Sequence, residues 1–416
     1  MKYMLRVGMV ASALLFAGCG DLEKPQNEQA KGGEVLVDLD AGSVKVLLLK
    51  AGVAKADTTV YGYKAYKIPY ETTDEEGNTV KVSGLMVVPQ GMPDVVSNQI
   101  GYSLVSDDHG TIFKNAETST EVAKATYAPS GSSVILTSLA GFITLQPDYI
   151  GFGDSNDHYH PFVLKKSLAN ATVDFIKTAR VFASENDIKL NGQLFLTGYS
   201  EGGYAAMATL QKIEAEGELQ VTMSAPMAGP YAFEAMAMGV LSQPKLSVPS
   251  FMANIGFAYA NAYSEDISSV INEPYASSLE ELFNGDKDRF AIDAELTRDT
   301  RGVFVGEFIN SFFTNSNHWF KKAAQENNVH NWVPQSAVRL VHCEGDDVIP
   351  YAISQLTEAT MKAMGATNIA LVPVEKALAA QGIGDGTFVG HGECGLLAYQ
   401  VATGMFAQTR KATVGY

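Results

Sequence analysis

The chain has 416 residues, of which 46% are hydrophobic and 18% charged, a balance that supplies a large buried core and excludes wholesale disorder. A formal charge of −16 without any cluster of Lys and Arg excludes a nucleic-acid-binding role, because neutralising phosphates takes clustered cations. The length fits two domains, or one large domain with an insertion.

Lys2 and Arg6 precede a short apolar stretch, Val7 to Ala17, which ends in small residues before Cys19. This is the plan of a signal peptide, and it is too short to span a bilayer comfortably. Ala17-Gly18-Cys19 resembles a bacterial lipobox, with Phe16 in place of the preferred leucine and Leu15 beside it. The resemblance implies that Cys19 becomes the lipidated first residue of the mature protein. The alternative is an ordinary cleaved signal peptide. Gly20, rather than Asp, follows Cys19, which in the same resemblance favours the outer membrane. Residues 1–18 are thus expected to be a lipoprotein signal peptide, and 19–58 a lipidated N-terminus and tether, polar from Asp21 to about Gly33. The expected location is that of an exported bacterial lipoprotein at the outer membrane or cell surface. No apolar run of about 20 residues follows, so the rest of the chain would hang from its lipid.

Val60 to Thr73 and Thr79 to Pro89, separated by Glu76-Gly77-Asn78, predict a hairpin of alternating strands. Further strands are predicted within Gln99 to Gly110, Phe142 to Ser155, Gln193 to Ser200, Val221 to Gly229, Ala337 to Asp347 and Ile369 to Glu375. Helical periodicity falls between several of them, at Ser167 to Asn186, Gly202 to Glu218 and Ile353 to Ala366. Strands alternating with helices predict a mostly parallel sheet covered on both faces. From about Ala232 to Val333 roughly 100 residues separate consecutive strands, far more than a loop requires, so a structured insertion is expected there. Its dense aromatics, including the pair Phe312-Phe313, form either the insertion's own core or the wall of a pocket.

Gly198-Tyr199-Ser200-Glu201-Gly202 fits G-x-S-x-G, the sharp strand-to-helix turn that projects a nucleophilic serine hydroxyl. The pattern alone is weak, but the strand-like LFLT before it and the helix-like GGYAAMATL after it supply the context the motif needs. Serine becomes a nucleophile only when a base takes its proton and a carboxylate fixes that base. On such a turn the partners follow in the order Ser, acid, His. His318, His330, His342 and His391 follow Ser200. The first two fall in the insertion and His342 precedes the acidic loop, which leaves His391, in FVGHGECG, as the base. The acid comes from EGDDVIP, at the carboxyl end of a strand where parallel sheets place their sites. Asp346 is favoured and Asp347 is the alternative. For an oxyanion, backbone donors are expected at the amide of Glu201 and at that of Thr111, after the Asp108-His109-Gly110 strand end. Asp154, Asp157, His158 and His160 fit no closed metal-ligand set and read as a polar loop. Neither a metal nor a cofactor is expected, since hydrolysis needs only water.

Together DHGT, QPDYIGFGDS followed by HPF, GYSEGG, the GDDVIP loop and GHGECG resemble the α/β-hydrolase superfamily, and most of all secretory lipases of the fungal lipase A type and their bacterial relatives. The resemblance runs from about Val60 to the C-terminus and is weakest in the insertion. It implies an α/β-hydrolase fold, with a core of residues 59–231 and 334–416 and a helical cap or lid at 232–333. The implied activity is carboxylic ester hydrolysis through Ser200, Asp346 and His391, on a small-molecule or lipid ester with apolar acyl or aryl groups. A serine peptidase, or a non-catalytic surface binding lipoprotein, are the alternatives. With Cys19 consumed by the anchor, Cys343 and Cys394 remain in an oxidising context and are expected to pair.

Overall fold

The computed structural model of the chain describes residues 29–50, 54–126, 128 and 130–416. The expected signal peptide and Cys19 lie outside them. The strands are β1 (Gln29–Ala30), β2 (Gly33–Leu39), β3 (Gly62–Thr73), β4 (Thr79–Gln90), β5 (Tyr102–Asp108), β6 (Ile143–Pro147), β7 (Leu190–Tyr199), β8 (Met223–Met227), β9 (Ala337–His342) and β10 (Ile369–Pro373). The longer helices used below are α1 (Ala41–Lys50), α2 (Lys165–Glu185), α3 (Glu201–Glu216), α4 (Phe233–Leu241), α5 (Pro249–Tyr263), α6 (Gly306–Thr314), α7 (Trp319–Glu326), α8 (Tyr351–Ala363) and α9 (His391–Val414).

Among the described residues ten strands form one sheet in the order β1-β2-β3-β4-β6-β5-β7-β8-β9-β10. The strands from β1 to β4 pair antiparallel, β4 is antiparallel to β6, and the remainder is parallel. The predicted hairpin is β3 and β4, in register from Gly62 opposite Gln90 to Thr73 opposite Thr79. Its turn is closed by the amide of Asn78 donating to the Asp74 side chain at 2.8 Å.

The central strands β5, β6 and β8, and β7 from Leu194 to Gly198, are buried on both faces, as continuous apolar runs require. In β7, Leu194 and Leu196 pack into the core on the side of α2 and α3, while Phe195 packs into the opposite one. There the Phe195 ring lies 5.6 Å from Phe142 and 4.8 Å from Phe406 of α9. Each such side chain contributes roughly 1.5–3 kcal/mol of hydrophobic burial, which fixes α3 and α9 against the strand that ends in Ser200.

One feature departs from the sequence expectations. The stretch assigned to a tether is partly built into the fold, because β2 pairs with β3 and α1 buries Val44 and Leu48. Between β8 and β9 the chain forms α4 to α7 and several shorter helices. Phe312 of α6 is 0% exposed, with its ring 5.9 Å from Phe308 and 6.1 Å from Phe320. It is part of the core of this helical segment.

Candidate active site

β7 runs into α3 through Ser200, whose backbone adopts φ 62° and ψ −119°. A non-glycine residue held at positive φ is strained, and here the strain turns the hydroxyl out of the strand-to-helix corner. The flanking glycines answer to β5. A Cβ on Gly202 would lie 1.8 Å from the carbonyl oxygen of Asp108, and one on Gly198 would lie 2.4 Å from it.

Ser200, His391 and Asp346 come together at the carboxyl ends of the parallel strands. Ser200 Oγ is 3.0 Å from His391 Nε2, and His391 Nδ1 is 2.6 Å from Asp346 Oδ2. Since a carboxylate only accepts, the proton of neutral His391 sits on Nδ1 and Nε2 is free to accept the serine hydrogen. The other acid is engaged differently: Asp347 Oδ1 accepts from the backbone amide of His391 at 2.9 Å. Of the two carboxylates left open by the sequence, Asp346 thus holds the ring and Asp347 the main chain.

Asp346 is anchored on both oxygens. Oδ1 accepts the amides of Val348 and Ile349 at 2.9 and 2.8 Å, and Oδ2 is also 3.2 Å from Nε2 of His342. Burial raises the pKa of this carboxyl, but the hydrogen bonds from His342 and His391 outweigh it and hold the group well below the usual carboxylate range.

Several contacts that the sequence reading missed fix the loops. The buried Glu375 carboxylate accepts the amides of Glu344 at 3.0 Å and Gly345 at 3.4 Å on the acid loop, and that of Val389 at 3.5 Å on the histidine loop. The Tyr199 hydroxyl donates to the carbonyl of His391 at 2.7 Å. Cys343 and Cys394 form the expected disulfide. Behind Ser200, His160 Nδ1 donates to the Ile150 carbonyl at 2.9 Å and its Nε2 is 2.7 Å from Glu201 Oε1, with both side chains buried. The sequence signal for this pair was only the HPF tripeptide and the acidic residue inside the serine motif.

Thr111, Ser200 and Glu201 open into one cleft, walled by Phe162, Phe233, Met236, Val240, Phe251 and Ile255 among others. The wall comes mainly from α4, α5 and the segment joining them, and Phe312-Phe313 are absent from it. Beside Thr111, Ser200 and Glu201 the lining is mostly apolar, with Gln243, Lys245 and Ser247 as its other polar members, a composition suited to an apolar chain attached to a polar reacting group. Of the polar loop, Asp154 pairs with Lys67 at 2.6 Å, and Asp157 lies 3.7 Å from the exposed His158. Among the described residues no group of His, Cys, Asp and Glu is arranged to hold a metal ion.

A family model described as secretory lipase matches residues 131–377. No curated protein sequence matches the chain. Among solved structures, a Legionella pneumophila protein described as a hydrolase superposes with a TM-score of 0.78 at 21% identity, over 91% of this chain and 97% of that one. The rice cell wall degrading esterase LipA of Xanthomonas oryzae gives 0.75 at 23% identity, over 92% and 96%. Lipase A of Candida antarctica in its closed state gives 0.57 at 13%, over 95% and 93%. These likenesses carry the architecture, that of the α/β-hydrolase fold.

Proposed function

The chain belongs to the secretory lipase family, and from that premise we propose that it is a serine carboxylic ester hydrolase acting on apolar acyl or aryl esters through an acyl-enzyme. The observation that carries this reading is the continuous chain Ser200 Oγ, His391 Nε2, His391 Nδ1, Asp346 Oδ2 at 3.0 and 2.6 Å, beside an apolar cleft. In the proposed reaction His391 Nε2 takes the hydroxyl proton as Ser200 Oγ attacks the ester carbonyl. The negative oxygen that forms accepts hydrogen bonds from the amides of Glu201, at the first turn of α3, and Thr111. As the intermediate collapses, His391 returns the proton to the departing alkoxide. Water then repeats the sequence on the acyl-serine and releases the acid. Asp346 keeps the imidazole in the required tautomer and stabilises its cation without taking the proton.

The helical segment 232–333 is proposed as a cap over the cleft, and residues 59–231 with 334–416 as the catalytic core. The secretory family gives an exported protein, and attachment to the outer membrane or cell surface through lipidated Cys19 is proposed from the lipobox. No described helix is long and apolar enough to cross a membrane.

The test is an activity profile over aryl esters of increasing acyl length, run beside emulsified triglyceride and beside an amide of one of the same acyl groups. Ester turnover that disappears in Ser200→Ala, with a fluorophosphonate probe attached to Ser200, is the expected result. Faster cleavage of the amide would replace the reading with a peptidase. An unlabelled Ser200 without ester turnover would leave a binding protein.

A further inference from the structure

Asp346 is held by more donors than its contact with His391 requires. His342, at the end of β9 and 0% exposed, places Nε2 3.2 Å from Asp346 Oδ2 and 3.1 Å from the Ile349 carbonyl. Its Nδ1 is 2.7 Å from Ser354 Oγ on α8. Both oxygens facing Nε2 are acceptors, so Nε2 carries the proton and Nδ1 accepts the Ser354 hydroxyl hydrogen. The ring would be satisfied by Ser354 and the Ile349 carbonyl alone. Its third contact falls on the very oxygen that accepts His391 Nδ1–H at 2.6 Å.

Two imidazole N–H groups converging on one carboxylate oxygen have two consequences. The second donor restricts rotation of the carboxylate, whose other oxygen is pinned by the amides of Val348 and Ile349. It also draws electron density from Oδ2, which weakens the field that stabilises protonated His391. We propose that His342 is a positioning residue that tunes the basicity of His391 through Asp346, so that the operative unit is Ser354, His342, Asp346, His391 and Ser200.

The inference rests on the serine hydrolase reading above. The titratable groups around the unit are few. Tyr351 of α8 stands edge-on to His342 with ring centroids 5.5 Å apart. Around His391 are Asp346, Asp347 at its amide and the Tyr199 hydroxyl, 3.4 Å from Nδ1. Glu375 reaches only the backbone of the two loops.

The experiment is the pH dependence of Ser200 labelling by a fluorophosphonate, together with kcat and KM for one aryl ester, in wild type, His342→Met, His342→Gln and Ser354→Ala. His342→Met keeps bulk but removes the donor, so the acid limb of the profile moves upward by about half a pH unit. In the same variant kcat falls roughly ten-fold through the loosened acid, with KM changed less than about two-fold. His342→Gln retains an N–H able to reach Oδ2 and restores the wild-type limb. Ser354→Ala removes the group that fixes the tautomer and moves the limb in the same direction as His342→Met, by less. A folded His342→Met with the wild-type profile overturns the proposal. If that variant does not fold by circular dichroism, a wild-type profile in Ser354→Ala overturns it instead. A wild-type protein that the probe never labels overturns the serine hydrolase reading itself, which is a different failure.

Discussion

Cys343 and Cys394 are joined by a disulfide with their Cα atoms 6.0 Å apart, the first standing three residues before Asp346 and the second three after His391. The bond therefore ties the acid loop to the first turn of α9, and Glu375 reinforces the same junction by accepting amides from both sides. Closing a loop of 51 residues limits the unfolded chain and contributes up to about 4 kcal/mol in the chain-entropy model. Replacing both cysteines by serine is expected to lower the melting temperature by several degrees and to reduce kcat more than it raises KM, because the acid and base lose alignment. Calorimetry and steady-state kinetics of the double variant check this. An unchanged kcat would confine the bond to stability.

The two neighbouring aspartates should separate cleanly. Asp346→Asn leaves His391 facing an amide that can present N–H to Nδ1, favouring the wrong tautomer, and a loss of kcat of about 10⁴ is expected. Asp347→Asn keeps an oxygen able to accept the His391 amide, and a loss under about ten-fold is expected. Measuring kcat for both on one aryl ester decides the point. The reverse ranking would move the acid by one residue.

Glu375 touches none of the reacting atoms, is 4% exposed, and supports the loops of both partners. Glu375→Ala leaves the amides of Glu344, Gly345 and Val389 without their acceptor in a buried place, at a cost of about 2–4 kcal/mol. Urea unfolding should show that loss, with Glu375→Gln recovering part of it. A destabilisation below about 1 kcal/mol would mean that water replaces the carboxylate.

How far the sequence reaches depends on whether a residue's partner is near in the chain or fixed by a known local geometry. The β3–β4 hairpin follows from alternation about a short turn, and the position of Ser200 from a motif that is itself a backbone conformation. The contact of His391 with Asp346 followed from chain order, since each is carried on a loop beyond a parallel strand. The missed features need coordinates over long separations. β2 and α1 looked like tether because Gly33–Leu39 becomes a strand only against β3. His160 meets Glu201 across 41 residues, with no local pattern to announce it. His342 did lie close to the acid, four residues before Asp346, but the order rule discards histidines preceding the acid and so hid its contact. Phe312 and Phe313 are adjacent, yet the first is buried in the helical core and the second is 39% exposed, because helical geometry sends neighbours to different faces.

That division gives a test of the cleft. Val240→Trp places a large ring among Met236, Phe251 and Ile255, on the wall described above, and should shorten the preferred acyl chain, with kcat/KM for decanoyl esters falling at least about ten-fold relative to acetyl. Phe312→Ala removes a fully buried ring and should cost about 3–5 kcal/mol in stability while leaving the chain-length profile of the folded fraction in place. Parallel kinetics and urea unfolding on the two variants separate pocket from core. A profile altered by Phe312→Ala and indifferent to Val240→Trp would put the acyl chain elsewhere.

Asp107, buried at the end of β5, links the strand before Thr111 to α9. It accepts from Ser132 Oγ at 2.6 Å, Gln146 Nε2 at 2.7 Å and Tyr399 OH at 2.5 Å. Burial pushes its pKa up to about 6, with those three hydrogen bonds pulling back toward the usual value. The folded protein therefore keeps the proton until about pH 6, whereas an unfolded aspartate releases it near pH 4. Between those values the native state binds more protons than the unfolded state, so this group's contribution to stability falls as pH rises through the window and is level above it. A displacement of about two units corresponds to about 3 kcal/mol. Asp107→Asn abolishes the titration, so the stability of the variant relative to wild type should rise between pH 4 and 7 by up to that amount. Taking the difference cancels Asp148, which burial likewise raises to about 6. Urea unfolding of both proteins at pH 4, 5, 6 and 7 measures it. A difference that stays level across this range would mean that the three donors hold Asp107 ionised near its ordinary value.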